Sequence, residues 1–128
     1  MATAPISEAR PLLLVVEDEA LVRQLVVLEL EDAGYDVVEA ETGEEALAAL
    51  RRHPGIQLLF TDIRLPGSLC GWDIAERARA MRPDLPVIYA TGYSGDLRLV
   101  PGSEFMRKPY KPAAVIQCMR DLGVSAAN

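Results

Sequence analysis

Positive charge, histidine and cysteine are all scarce in this sequence, and each scarcity argues against a class of function. Thirteen Lys and Arg face 19 Asp and Glu, for a net charge of −6. Proteins that bind nucleic acid need clustered positive charge to neutralise phosphates. The basic groups here, Arg51-Arg52 and Arg107-Lys108 with Lys111, are short and interrupted, which argues against nucleic acid as a partner. Only two cysteines occur, Cys70 and Cys118, without metal-ligand spacing. Two free thiols in a reducing compartment are expected, rather than a disulfide framework. The single histidine, His53, sits in RRHPG, where Pro54 and Gly55 end a helix; a solvated helix end suits it better than catalysis. Long apolar runs are missing too. LLLVV at 12–16, the longest undiluted one, is far short of the roughly 20 residues a membrane helix needs, so no membrane insertion is expected. The opening MATAPISEAR has no basic stretch leading into an apolar one, so it does not read as a secretory signal. A frayed leader and a cytoplasmic location are the expectation.

What is present is a regular alternation. The 128 residues suit one domain, expected over 11–123 with loose ends at 1–10 and 124–128. LLLVV (12–16) precedes a helical pattern, ALVRQLVVLELEDA (20–33), which Gly34 ends. DVVEA (36–40) follows, and Thr42 with Glu45 forms a T-x-x-E capping box for EEALAALRRH. After HPG come QLLFTD (57–62), a loop, and GWDIAERARAMR (71–82), which Pro83 stops. PVIYA (86–90) is the fourth strand, EFMRK (104–108) the weak fifth, and PAAVIQCMRDL (112–122) the closing helix. The strands are aliphatic on both faces, which suits a parallel sheet covered by helices on each side. A β-α repeat of this period predicts a doubly wound α/β fold. Between the fourth and fifth strands, TGYSGDLRLVPGS (91–103) carries three glycines and a proline. A short helix around Gly95–Val100, or none, is all that fits there.

In an open parallel sheet, ligands bind beyond the carboxyl ends of the strands. Polar chemistry collects at that end here. Glu17, Asp18 and Glu19 follow the first strand, Asp62 ends the third, Thr91 the fourth, and Lys108 the fifth. Each has an ordinary alternative: Asp62 and Thr91 as turn formers, the acidic run as a helix start, Lys108 as a solvated charge. Their conjunction at one sheet edge favours a site. Converging carboxylates repel unless a cation joins them, and an all-oxygen set selects a hard ion such as Mg²⁺. An ammonium and a hydroxyl nearby suit oxyanions on a phosphoryl group, and an aspartate can be the nucleophile that carries it.

VVEDE (15–19), FTDIRLPG (60–67), YATGY (89–93) and FMRKPY (105–110) together resemble the bacterial response-regulator receiver domain, the CheY-like family, over about residues 11–122. The resemblance implies a flavodoxin-like, five-stranded parallel sheet in the order 2-1-3-4-5. It makes Asp62 the phosphoacceptor, with Mg²⁺ bound directly by Asp18, through water or at the rim by Glu17, and by the backbone carbonyl of Arg64. Thr91 becomes the hydroxyl that moves toward the phosphoryl group, Lys108 its ion-pairing lysine, and Phe105 an aromatic that changes rotamer. YATGY is also similar to the signature of single-domain regulators named for a FATGUY sequence, which Tyr89 and Ser94 miss. Other departures are Glu17 where aspartate is common, a loop 63–71 one residue longer than usual, and the curtailed fourth helix of the family. Phe105 also lacks a hydroxyl, which removes any switch built on a tyrosine hydrogen bond. Arg64 and Tyr93 flank the site, and their side chains are expected to obstruct the hydrolytic water and lengthen the phosphorylated lifetime.

The implied partner is a histidine kinase or a histidine phosphotransfer domain, with output through protein contacts rather than catalysis. A stand-alone regulator, a relay intermediate, a phosphate sink and a piece of a hybrid kinase all remain open; the Met start mildly favours an independent protein. Two alternatives stand beside this. A Mg²⁺-dependent phosphatase of the haloacid-dehalogenase kind wants a second aspartate two residues after the first, where Arg64 stands. A receiver-shaped module could also bind a partner without phosphorylation, an opening that Glu17 leaves.

Overall fold

The computed structural model describes residues 10–92 and 97–126. Strands β1 (Leu12–Val16), β2 (Asp36–Ala40), β3 (Ile56–Thr61), β4 (Val87–Thr91) and β5 (Glu104–Arg107) form one sheet in the order β2-β1-β3-β4-β5. Every neighbouring pair is parallel. The helices are α1 (Ala20–Asp32), α2 (Gly43–Arg52), α3 (Gly71–Met81) and α4 (Pro112–Asp121). The architecture and strand order are as expected. β3 begins at Ile56, one residue before the expected start at Gln57, and ends before Asp62, while β4 runs one residue later than expected, through Thr91.

Alternation along the strands sorts the core into two layers. Leu12, Leu14 and Val16 of β1, with Leu59, Val87 and Tyr89, pack against Leu47 and Leu50 of α2 and Ile74, Ala75 and Ala78 of α3. The intervening residues, Leu13, Val15, Leu58, Phe60, Ile88 and Ala90, face Val27 and Leu30 of α1 and Val115 and Met119 of α4. Both faces of β1 are therefore buried, which is why its sequence does not alternate. A fully buried leucine of this kind contributes about 1.5–3 kcal/mol relative to an exposed one. β1 connects to β2 on one side and lies beside β3 on the other, so the chain reverses direction of travel there. That reversal opens a crevice at the carboxyl ends of β1 and β3.

Local chemistry sets the helix ends. Thr42 accepts a hydrogen bond from the Glu45 N–H at 3.1 Å, the cap that T-x-x-E foretells. Gly34, at φ 102°, turns the chain out of α1. Arg10 and Val124 lie at the margins of the segments expected to be loose, yet both are held. Arg10 donates to the carbonyls of Gly34, Glu31 and Tyr35, and buried Val124 accepts from the Tyr35 hydroxyl at 3.0 Å. Both cysteines are free thiols.

No helix joins β4 to β5 among the described residues. Leu97–Val100 runs as an irregular strap, with Leu97 and Leu99 exposed and Val100 buried against the sheet. The Val100 N–H donates to the Tyr89 hydroxyl at 3.2 Å, and Arg98 reaches Glu76 of α3 at 2.9 Å and Asp73 at 3.4 Å. No helix among the described residues is long and apolar enough to cross a membrane.

Candidate functional site

The sheet ladder continues one residue beyond three strands, and those extra bonds assemble the site. Glu17 N–H donates to Ala40 at 3.0 Å, Asp62 N–H to Val16 at 3.0 Å, and Lys108 N–H to Thr91 at 3.1 Å. Glu17, Asp62 and Lys108 are thereby fixed on the same edge, with Thr91 at the tip of β4.

Asp62 is 8% exposed and uses both carboxylate oxygens. Oδ1 accepts from the N–H groups of Ile63 and Arg64 at 2.6 and 3.3 Å, the turn-forming role open to any strand-end aspartate. Oδ2 accepts from Lys108 Nζ at 2.8 Å. The turn role thus occupies one oxygen and leaves the other for charge chemistry. Gly71 fixes the backbone beneath. Its N–H donates to the Ile63 carbonyl at 2.7 Å, and a Cβ at this position would lie 2.2 Å from the Asp62 carbonyl oxygen. The sequence marks this only as a glycine opening α3.

Glu17 is buried, its Oε1 on Lys108 Nζ at 2.6 Å and its Oε2 accepting from the Glu19 N–H at 3.0 Å. Burial raises the Glu17 carboxyl above its ordinary range, and the hydrogen bonds from Lys108 and Glu19 pull it back only in part. Burial works against the Lys108 ammonium as well. Its bonds to Asp62 and Glu17 outweigh that penalty and hold its pKa well above an ordinary lysine's. Asp18 is exposed, and one carboxylate oxygen from each of Glu17, Asp18 and Asp62 falls within 4.8 Å of the others. One ammonium cannot neutralise three carboxylates. The excess negative charge and the hard oxygen donors fit a divalent cation of the Mg²⁺ kind.

Thr91 is 2% exposed and lines a cleft of about 370 Å³ with Asp18, Asp62, Arg64 and Lys108. A second cleft of about 580 Å³ adjoins it, lined by Asp18, Arg64, Leu65, Pro66, Cys70 and Trp72. Trp72 packs on Tyr89 with ring centroids 4.9 Å apart. Of the residues expected at the site, the structure brings together Glu17, Asp18, Asp62, Arg64, Thr91 and Lys108. Glu19 contributes its backbone N–H to Glu17 and stands at the N-cap position of α1, where its carbonyl accepts from the Arg23 N–H and its side chain makes no capping bond. Phe105 stands apart from the acids, half-buried on β5 in register with Tyr89, with the Arg107 guanidinium 5.7 Å above its ring. Tyr93 lies outside the described residues.

A family model described as the response regulator receiver domain matches residues 13–119. The chain is 36% identical over 95 residues to the response regulator receiver protein CpdR of Brucella abortus, covering 74% of this chain and 77% of CpdR. It is 34% identical to the probable transcriptional regulator ycf27 of Porphyridium aerugineum and 32% identical to the phosphate regulon regulator PhoB of Pseudomonas aeruginosa. The matches take in 78% and 81% of this chain but only 42% and 48% of those proteins. Among solved structures, a response regulator receiver protein from Sinorhizobium medicae superposes with a TM-score of 0.85 at 29% identity, covering 91% of this chain and 96% of that one. The receiver domain of the hybrid histidine kinase CckA gives 0.76 at 31% identity, with 87% and 97% covered.

Proposed function

Because the chain belongs to the response regulator receiver domain family, we propose that it is a phospho-accepting switch of two-component signalling with Asp62 as the acceptor. The observation that carries this reading is the Asp62 carboxylate itself, held between two backbone N–H groups and the Lys108 ammonium beside two further acids. The donor is a phosphohistidine on a histidine kinase or a histidine phosphotransfer protein; the likeness to a hybrid-kinase receiver supports this class of partner. A carboxylate oxygen of Asp62 bonds to phosphorus as the P–N bond breaks, and the imidazole keeps the electron pair and takes up a proton. Glu17, Asp18, Asp62 and the backbone carbonyl of Arg64 would hold Mg²⁺, which supplies charge neutralisation to the carboxylate and the incoming phosphoryl group.

Lys108 stays protonated through this exchange and donates to the phosphoryl oxygens, exchanging its ion pair with Asp62 for one with the new group. Thr91, at the tip of β4 in the same cleft, supplies a hydroxyl donor. Its movement would pull on β4 and on the strap that follows, and Phe105, in register with Tyr89, would respond by changing rotamer. Output then runs through altered protein contacts rather than catalysis. The phosphatase alternative has no support in the site, because Arg64 stands where its second aspartate is required.

Phosphotransfer from a panel of purified histidine kinases tests the proposal. Wild-type protein should be labelled in a Mg²⁺-dependent way and Asp62→Asn should not. Wild type that stays unlabelled by every donor, and unaltered by beryllofluoride, would leave a module that binds without phosphorylation.

A further inference from the structure

Helix α1 buries Arg23, Val27 and Leu30, so an arginine only 8% exposed shares the buried side of the helix. Arginine is rarely buried unless each nitrogen is engaged. Here Nε bonds Glu39 Oε1 at 3.1 Å, Nη2 bonds Glu41 Oε1 at 3.1 Å, and Nη1 bonds the backbone carbonyl of Glu17 at 2.8 Å. The two carboxylates flank Ala40, the residue whose own carbonyl accepts the Glu17 N–H. The end of β2 therefore holds Glu17 twice, once directly and once through Arg23.

We propose that Arg23 is a positioning residue for the cation site, fixing the peptide plane that joins Glu17 to Asp18. The inference rests on the phosphoacceptor reading of Asp62 and deepens it. A peptide unit is planar, so a bond to the Glu17 carbonyl sets the orientation of the whole unit between the two α-carbons. Those two α-carbons carry two of the three carboxylates whose oxygens converge within 4.8 Å. Mutual repulsion among the acids pushes this loop apart, and the Arg23 bond to the Glu17 carbonyl resists it at the backbone while Lys108 acts on the side chains. Partners one step removed from a metal typically carry 10- to 100-fold of its affinity.

The test is Mg²⁺ titration followed by Trp72 fluorescence, because Trp72 lines a cleft with Asp18, together with phosphotransfer rates measured against Mg²⁺ concentration. Arg23→Met should weaken Mg²⁺ binding by about tenfold or more and leave the rate at saturating Mg²⁺ within about twofold of wild type. Arg23→Lys, which keeps one donor for the carbonyl, should recover part of the affinity. Should Arg23→Met not fold, the double variant Glu39→Gln/Glu41→Gln loosens the anchor and should weaken Mg²⁺ binding by a smaller factor. Unchanged Mg²⁺ affinity in whichever variant folds, even with a lowered melting temperature, overturns the proposal. Wild-type protein that binds no Mg²⁺ overturns the phosphoacceptor reading and this inference with it; wild type that binds while the variants match it overturns this inference alone.

Discussion

A methyl group at position 71 would sit 2.2 Å from the Asp62 carbonyl oxygen and 2.7 Å from the Ile63 Cα, both backbone atoms that cannot swing aside. Gly71→Ala must therefore displace the segment that presents the Asp62 carboxylate. Overpacking of this kind costs about 1–3 kcal/mol. Phosphorylation of Gly71→Ala should fall along with its denaturation midpoint, measured by phosphotransfer and urea unfolding. Arg64 makes a different kind of demand. It lines the cleft beside Asp62, and the proposed role for its side chain is to obstruct a hydrolytic water. Arg64→Ala combined with Tyr93→Ala should speed loss of the phosphoryl group, read as the decay of labelled protein; an unchanged half-life rejects the obstruction. The acids and Thr91 were legible because they stand at the ends of apolar runs, where residue type alone announces a change of task; Lys108, after EFMR, was legible only with FMRKPY taken as a motif. Arg23 was not, since an arginine in ALVRQLVVLE reads as a solvated charge until the fold brings Glu17, Glu39 and Glu41 around it.

Helix α3 opens on a reciprocal contact, with the Asp73 carboxylate accepting from the Cys70 N–H at 3.1 Å and from its thiol at 3.3 Å. These bonds, the backbone one foremost, hold the Asp73 carboxyl below its ordinary 3.8. A depressed carboxyl stabilises the fold fully above its unfolded pKa and loses that contribution as pH falls through the lower folded value. Asp73→Asn should thus cost about 1 kcal/mol at neutral pH and progressively less below pH ~4, in thermal melts across the range. Arg98 ties the β4–β5 strap to the same helix through Asp73 and Glu76. Arg98→Ala should raise hydrogen exchange at Leu99 and Val100 while the sheet strands keep their protection. The capping box of α2 and all five strands could be read locally, from spacing and apolar runs. The strap could not. Its bonds to α3 and to Tyr89 span 11 to 25 residues of chain, and residues 97–100 have neither helical nor strand periodicity to advertise them.

Across the whole molecule, the site sets function against stability. Glu17, Asp18 and Asp62 bring their oxygens within 4.8 Å around a single ammonium, and like charges so placed raise the free energy of the folded state whenever no cation joins them. Asp18 is the exposed member, so replacing it relieves repulsion without leaving a buried partner unpaired. Asp18→Asn should raise the melting temperature of the metal-free protein by a few degrees, corresponding to about 1 kcal/mol. The same change should abolish the stabilisation that Mg²⁺ is expected to give to wild type. For a ligand present at one hundred times its dissociation constant that gain is about 2.7 kcal/mol. Melts of wild type and Asp18→Asn, each with and without Mg²⁺, should therefore cross: the variant is the more stable without the ion, and wild type with it. Asp62→Asn in the same design should respond to Mg²⁺ weakly and to beryllofluoride not at all, because the second ligand needs the acceptor oxygen itself. Parallel curves, with Asp18→Asn lower in both conditions, would mean that its carboxylate supports the fold rather than straining it.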